Sequence, residues 1–437
     1  MNKMDIPNSW KTMRLDEIGM IFSGSTPSTS NRAFWDGEIV WITPYDLSRL
    51  NTPYLSDSSK RITEKGLNGC SARLLPAGSL VISSRAPIGY VALPTVPFCT
   101  NQGCKTIKLK SAYHPEFAYY NVLFNIGKVK SLGEGTTFAE ISKRALSTVE
   151  LLFPTCFLEQ AKIAEILSTL GRAIEQTEAL IAKHQRIDAG LTQDLLTRGI
   201  DEHGNLRSET THAFKDSPLG RIPVQWEACP LGTLIHIKHG YAFSGEFFSD
   251  QRNDNVLLTP GNFHVDGGLY FTGRNTKYYT GAVPREFILA NGDVVVVMTD
   301  LTKEMAILGR TAILHHTDNV LHNQRVGKVC VNQAIEMDTR FLAILMNSDL
   351  YRREIKATAT GTTVRHTSPA KLLSPFVPRI PLDEQKRIHL RLDALSDGVE
   401  HLLEELKKMN LIKTALMQDL LAGKKRVTPL LEPGTTH

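Results

Sequence analysis

The chain has 437 residues, 42% hydrophobic and 22% charged, a balance ordinary for a folded globular protein of about three domains. It contains no run of about 18 apolar residues, and its start, MNKMDIPNSW, lacks the apolar core of a signal peptide, so neither a membrane span nor secretion is expected. The formal charge of +5 permits a nucleic-acid partner without demanding one.

In chain order, residues 1–157 read as a globule. It opens on PNSW (7–10), with Leu15 five residues after the tryptophan, and passes Gly24 and Thr43-Pro44. GSLVISS (78–84) reads as a buried strand entered by a turn, and Asn101-Gln102 and a GTT segment (135–137) follow. From 158 to 200 there is no proline, Pro154 lying just upstream. Positions 163, 167, 170, 174, 177, 181, 184, 188, 191 and 195 alternate steps of four and three. That is a heptad seam, interrupted by Thr177, His184 and Asp188, and it predicts one long helix.

A polar linker over 201–222 comes next, and then the series restarts. A second globule, 223–380, opens on PVQW (223–226) with Leu231 five residues on. It continues through Gly240, Thr259-Pro260, GDVVVVMT (292–299), Asn323-Gln324 and a second GTT (361–363). A second helix is expected over 381–425, behind Pro381, with the seam Ile388, Leu392, Leu395, Val399, Leu402, Leu406, Met409, Lys413, Leu416, Leu420. Residues 426–437 form a tail.

QDLL occurs in both helices, at 193–196 and 418–421, and aligning the two fixes an offset of 225. Between Glu159 and Leu196 the alignment holds 13 identities in 38 positions without a gap, which marks a true internal repeat. In the globules the offset drifts from 214 to 226, as expected if length changes sit in surface loops. A helix of about 38–40 residues spans roughly 60 Å, and one apolar stripe on it needs a partner. The other copy is the nearest candidate. The expected interface is Ile163, Leu167, Leu170, Ile174, Ile181, Leu191 and Leu195 against Ile388, Leu392, Leu395, Val399, Leu402, Leu406, Leu416 and Leu420; the alternative is two ordinary core helices. If the pair is antiparallel, two different globules become two reading heads at a fixed separation. DNA suits such a device, because one face of the duplex repeats every 34–36 Å or so.

The doubled EQ…QDLL helices, the P-x-x-W…L globule starts, the paired GTT segments and FKDSPLGRIPVQW (214–226) resemble the specificity subunits of type I restriction-modification enzymes over nearly the whole chain. The resemblance implies an α+β fold: two mixed α/β target recognition domains joined by two long antiparallel helices in a pseudo-two-fold tandem repeat. It also implies that each domain reads one half of a split site in double-stranded DNA and that the helices set the unread spacer. Such a subunit has no catalytic activity and no cofactor. It recruits two methyltransferase subunits, with motor-nuclease subunits added for cleavage.

Direct readout favours Arg on guanine and Asn or Gln on adenine, with hydroxyls on phosphate. Polar residues in loops after the matched strands are therefore the candidates. They are Ser83, Ser84, Arg85, Asn101, Gln102, Thr136 and Thr137 in the first globule. In the second they are Thr299, Lys303, Asn323, Gln324, Arg325, Thr362, Thr363 and Arg365. Each competes with an ordinary turn or cap role. Trp10 and Trp226 read as core anchors, and Gly135 and Gly361 as backbone-geometry residues. Residues 1–158 carry 17 Lys and Arg against 12 Asp and Glu, and residues 223–383 carry 16 against 15, so the first globule is better equipped for phosphate.

Catalytic signatures are absent from the sequence. GEG (133–135) is a lone glycine pair without a convincing strand, no N/D-P-P-Y/F occurs, and ITPYDL (42–47) lacks the amide. Before Gly327-Lys328, His322 stands where a phosphate-binding loop needs glycine. DEQK (383–386) imitates a nuclease cluster, but its repeat partner LEQA (158–161) lacks the Asp and Lys, so both read as helix starts with acids at the dipole's positive end. The cysteines (Cys70, Cys99, Cys104, Cys156, Cys229, Cys330) form no CxxC pair, which disfavours zinc and disulfides and fits a reducing cytoplasm. Two alternatives stand beside the resemblance: a specificity subunit of a type IIB-like system, and a structural adaptor whose globules bind proteins.

Overall fold

The computed structural model describes residues 7–133 and 140–431. The chain divides into two compact units, not three: Met1–Ile181 with His401–His437, and Ala182–Glu400. Each unit therefore takes in part of both long helices.

In the first unit a five-stranded sheet has the order Gly19–Ser23, Cys104–Leu109, Leu80–Ser83, Val91–Pro94, Tyr54–Leu55. The first four strands are antiparallel to their neighbours and the fifth is parallel. A second sheet centres on Trp35–Ile42, parallel to Phe98–Thr100 and antiparallel to Arg61–Ile62. Trp10–Arg14 pairs with Glu150–Pro154 beside them.

The second unit repeats this plan. Its four-stranded antiparallel sheet runs Ile235–His239, Val326–Val331, Val294–Val297, Thr311–Ile313. Asn255–Leu258 and Asn319–His322 reproduce the parallel pair, and Glu227–Pro230 pairs with Phe376–Arg379. The loose sequence matches fall at equivalent places. Thr43 and Thr259 each cap a short helical turn that has proline at its first position. Asp46 in one and Asn262 in the other close a capping box. A Cβ on Gly24 would lie 2.0 Å from the Asn101 carbonyl oxygen, and one on Gly240 would lie 2.2 Å from that of Asn323. Only glycine lets these strands approach so closely. Trp10 and Trp226 are both buried in their units' cores.

The long helices are Phe157–Thr197 and Leu382–Leu420. Both stop short of the expected ends at 200 and 425. Gly199 and Gly423 adopt the left-handed conformation (φ +64° and +69°) that closes a helix. Within the first unit, Ile163 and Leu167 share a core with Leu416, Leu420 and Leu421, and Gly171 lies beside Lys413. Within the second, Leu191 and Leu195 share a core with Ile388 and Leu392. In each unit the helices thus run in opposite directions. Of the seam residues, Ile174 and Ile181 are also buried, and Leu170, Leu395, Val399, Leu402 and Leu406 are half-buried.

The EQ pair at each helix start does more than face a dipole. Glu159 is fully buried and binds Arg426 with both oxygens, at 2.6 and 2.8 Å. Glu384, also buried, takes both Nη atoms of Arg207, the Ile200 N–H at 3.0 Å and the Trp226 indole N–H at 3.2 Å. Each arginine follows the other helix. Gln160 accepts the His114 N–H and donates to the Ala112 and Pro154 carbonyls. Gln385 accepts the Asp338 N–H and donates to the Glu336 and Ile380 carbonyls. One side chain so ties each helix start to two loops of its own globule.

Removing one partner of a buried ion pair leaves an uncompensated charge, at a cost of about 3–5 kcal/mol. Glu384→Ala should lose about that much stability in urea unfolding of the full chain. Glu384→Leu combined with Arg207→Met should recover part of it. A double variant no more stable than the single one would show that the carboxylate's bonds to Ile200 and Trp226 dominate.

Candidate nucleic-acid interface

In the first unit the strand Leu80–Ser83 delivers the candidates to one rim. Ser83 is buried, and its hydroxyl donates to the Pro87 carbonyl and accepts the Tyr90 N–H, both at 2.8 Å. Ser84 is buried too, and accepts from the Lys105 ammonium at 3.3 Å. These two hydroxyls shape the turn; they do not face solvent. Arg85 does, and its guanidinium lies 2.9 Å from the Glu140 carboxylate. The buried Lys105 approaches the same carboxylate at 3.5 Å. The hydrogen bond from Arg85, with the two nearby cations, holds the Glu140 carboxyl below the usual range.

Asn101 is half-buried and folds back to accept the Gly103 N–H at 3.0 Å, whereas Gln102 is exposed and hydrogen-bonds the Thr26 hydroxyl. A groove of about 410 Å³ brings Arg85 and Asn101 together with Tyr45 and Ser48. Tyr45 is exposed, with the Arg49 guanidinium 5.3 Å from its ring centre. Thr136, Thr137 and Gly135 lie outside the described residues.

The second unit has the same backbone bonds with different side chains on them. Ser84 N–H donates to the Gly103 carbonyl in one unit, and Met298 N–H to that of Arg325 in the other. Ile141 N–H then donates to the Ser84 carbonyl, and Thr367 N–H to that of Met298. Arg85 therefore corresponds to Thr299, and Glu140 to His366. Where the first unit has an ion pair, the second has the Thr299 hydroxyl 3.1 Å from His366 Nδ1. Thr299 and Asn323 are buried, whereas Lys303, Gln324, Arg325, Thr362 and Thr363 are exposed. Arg365 is half-buried and donates to the Gly361 carbonyl at 2.5 Å. Gly361 has φ +96°, and a Cβ there would sit 2.0 Å from the Val364 carbonyl oxygen, so the GTT turn requires glycine.

Pairing of Thr299–Asp300 with Arg365–His366 joins the GTT turn to the loop that begins at Leu301. Two buried charges hold that loop. The Asp300 carboxylate accepts the N–H groups of Thr302, Ile307 and Leu308 at 2.7, 2.6 and 3.0 Å. Arg352 donates to the carbonyls of Met305, Ala306 and Leu308 at 3.2, 2.7 and 3.4 Å. Burial, with Arg310 nearby, brings the Arg352 guanidinium down to about 10, and it remains a cation at neutral pH. Lys105, Glu140, Asp300 and Arg352 were not legible as site residues, because each acts through a partner distant in sequence. The exposed Tyr45, inside the matched Thr43-Pro44 turn, carried the best local signal.

Among the described residues, no cluster of three or more His, Cys, Asp or Glu is placed to hold a metal, and no helix is long and apolar enough to cross a membrane. The six cysteines are free.

Residues 7–183 match the family model of the type I restriction modification DNA specificity domain. The chain is 34% identical to the type I restriction enzyme MjaIX specificity subunit of Methanocaldococcus jannaschii, over 97% of this chain and 95% of that one. The chain belongs to the type I restriction-modification specificity subunits. The MjaVIII specificity subunit of the same organism is 24% identical over 98% and 96% of the two chains. The fold matches the crystal structure of a type I system S subunit from M. genitalium, with TM-score 0.57, 16% identity and coverage of 96% and 98%.

As a specificity subunit the protein recognises DNA and assembles with other subunits of its restriction-modification system. The rims described above carry guanidinium and amide groups in fixed loops, donors and acceptors of the kind that base edges and phosphates take. Fixing those loops depends on the buried charges. Asp300→Ala should free the loop of residues 301–308, so that trypsin cuts after Lys303 in the variant and spares that bond in the parent. Mass mapping of a limited digest is the check, and equal protection in both would show that Arg352 alone holds the loop.

Proposed function

We propose that each unit reads one half of a bipartite site in double-stranded DNA, as a non-catalytic subunit of the complex. The residues that face solvent at the two rims do the reading: Arg85 and Gln102 in one, Lys303, Gln324, Arg325, Thr362 and Thr363 in the other. Ser83, Ser84, Thr299 and Asn323 support them from beneath. The recognition domains are 1–157 and 223–380, with 201–222 as linker, and the complex works in the cytoplasm. The supporting observation is the doubling of the frame, with Glu159–Arg426 and Glu384–Arg207 at equivalent helix starts. Equivalent surfaces favour two methyltransferase subunits, with motor-nuclease subunits joining for cleavage. Leu180, Leu403, Leu411 and Ile412 in the first unit, and Ile187 and Leu390 in the second, are exposed apolar residues on the helices that a partner would cover.

Purified alone, the protein should neither methylate nor cleave DNA, and mass measurement of the reconstituted assembly should find two methyltransferase subunits. A stable complex with a single one would count against the reading.

Helix length should also be written into the DNA spacer. Four residues inserted near Ala179–Ala182 add about 6 Å of rise and leave the distal helix about 40° out of phase with a whole turn. That rise is close to two base pairs at about 3.4 Å each. A single insertion should weaken recognition. A matching insertion near Glu404–Lys407 should restore it on a site one or two base pairs longer, both half-sites unchanged. Restoration on the original spacing would show that the helices do not measure it.

A further inference from the structure

We propose that Leu301 reads a thymine through its C5-methyl group, as a specificity residue of the second unit. The inference rests on the reading that this unit faces DNA.

The loop carrying Leu301 is peculiar to one unit. The strands Leu80–Ser83 and Val91–Pro94 of the first unit are joined by residues 84–90, whereas Val294–Val297 and Thr311–Ile313 are joined by residues 298–310. The second connection is six residues longer, and it starts where Met298 N–H donates to the Arg325 carbonyl and Thr299–Asp300 pairs with Arg365–His366. Extra loop in a surface turn is commonly mobile. This one is fixed from both sides, by Asp300 on its N–H groups and Arg352 on its carbonyls, and both side chains are buried. What the fixed loop presents is Leu301, 72% exposed, two residues before the exposed Lys303.

A single exposed leucine is unremarkable in itself. Here it opens a loop that two buried charges fix, between Asp300 and the exposed polar run Thr302, Lys303 and Glu304, where folding gains nothing from its exposure. Duplex DNA offers one apolar group on its base edges in the major groove, the thymine methyl, and aliphatic side chains recognise it there. The cation two residues on suits the adjacent phosphate. An apolar protein partner would prefer a wider patch than one leucine among polar neighbours.

The test uses the subunit assembled with its methyltransferase, on the bipartite sequence that methylation sequencing identifies. Each thymine is replaced in turn by deoxyuridine, which removes only the methyl group, and equilibrium binding is measured. At one position in one half-site the replacement should weaken binding about four-fold, the worth of one buried methyl. Leu301→Ala should weaken binding to the thymine site by at least as much and show no further loss on deoxyuridine, while Leu301→Met should keep the discrimination. Trypsin resistance at Lys303 confirms that the variant loop is intact. The assignment is overturned if deoxyuridine is tolerated everywhere, if Leu301→Ala still senses the methyl, or if neither half-site contains an A·T pair. It is also overturned if Leu301→Ala loses affinity equally on both bases, as a wedge between base steps would. A complex that selects no bipartite site overturns the underlying reading; one that selects it with Leu301→Ala unchanged overturns this assignment alone.

Discussion

Two buried carboxylates, Glu159 and Glu384, organise the chain. Each stands at the start of a long helix and receives an arginine from beyond the end of the other, 267 residues away in one case and 177 in the other. A buried ion pair of this kind contributes little net stability over a well-packed apolar substitute, because desolvation offsets most of the attraction. Its effect is on choice of register. A glutamate that misses its arginine stays buried and unpaired, so alternative slides of the helices along their apolar seam are penalised. A leucine seam alone is tolerant of such slides, since one apolar layer resembles the next.

On this frame the units keep their backbone and vary their side chains. The order of the four strands, the parallel pair, the capped Thr-Pro turns and the close-packed Gly24 and Gly240 are common to both. At the rim, the position held by Arg85 and Glu140 in one unit is held by Thr299 and His366 in the other. The first arrangement is an ion pair that ties down its own cation; the second leaves the cations to neighbouring loops. Divergence at the rim over a constant frame is what two different half-sites would ask of a duplicated protein.

The long helices were legible because a heptad seam repeats in sequence at the period at which it is buried in space, so each buried or half-buried seam position could be named beforehand. The rim was less legible. VISS is buried along its whole length, both faces being covered, so no alternation distinguishes a serine aimed inward from one aimed out. Sequence pattern therefore groups Ser83, Ser84, Thr299 and Asn323 with residues that do face solvent, and burial separates them.

The sequence by itself determined the duplication, the helix pair and the places where the two globules correspond, since all three are written as local period or as self-similarity. The tertiary structure decided which polar residues are presented and which are consumed in holding them. Lys105 against Glu140, Arg352 under the loop at 301–308, and Arg207 against Glu384 are pairings between residues far apart in the chain. Each is set by burial and hydrogen-bond geometry, which exist only once the chain has folded.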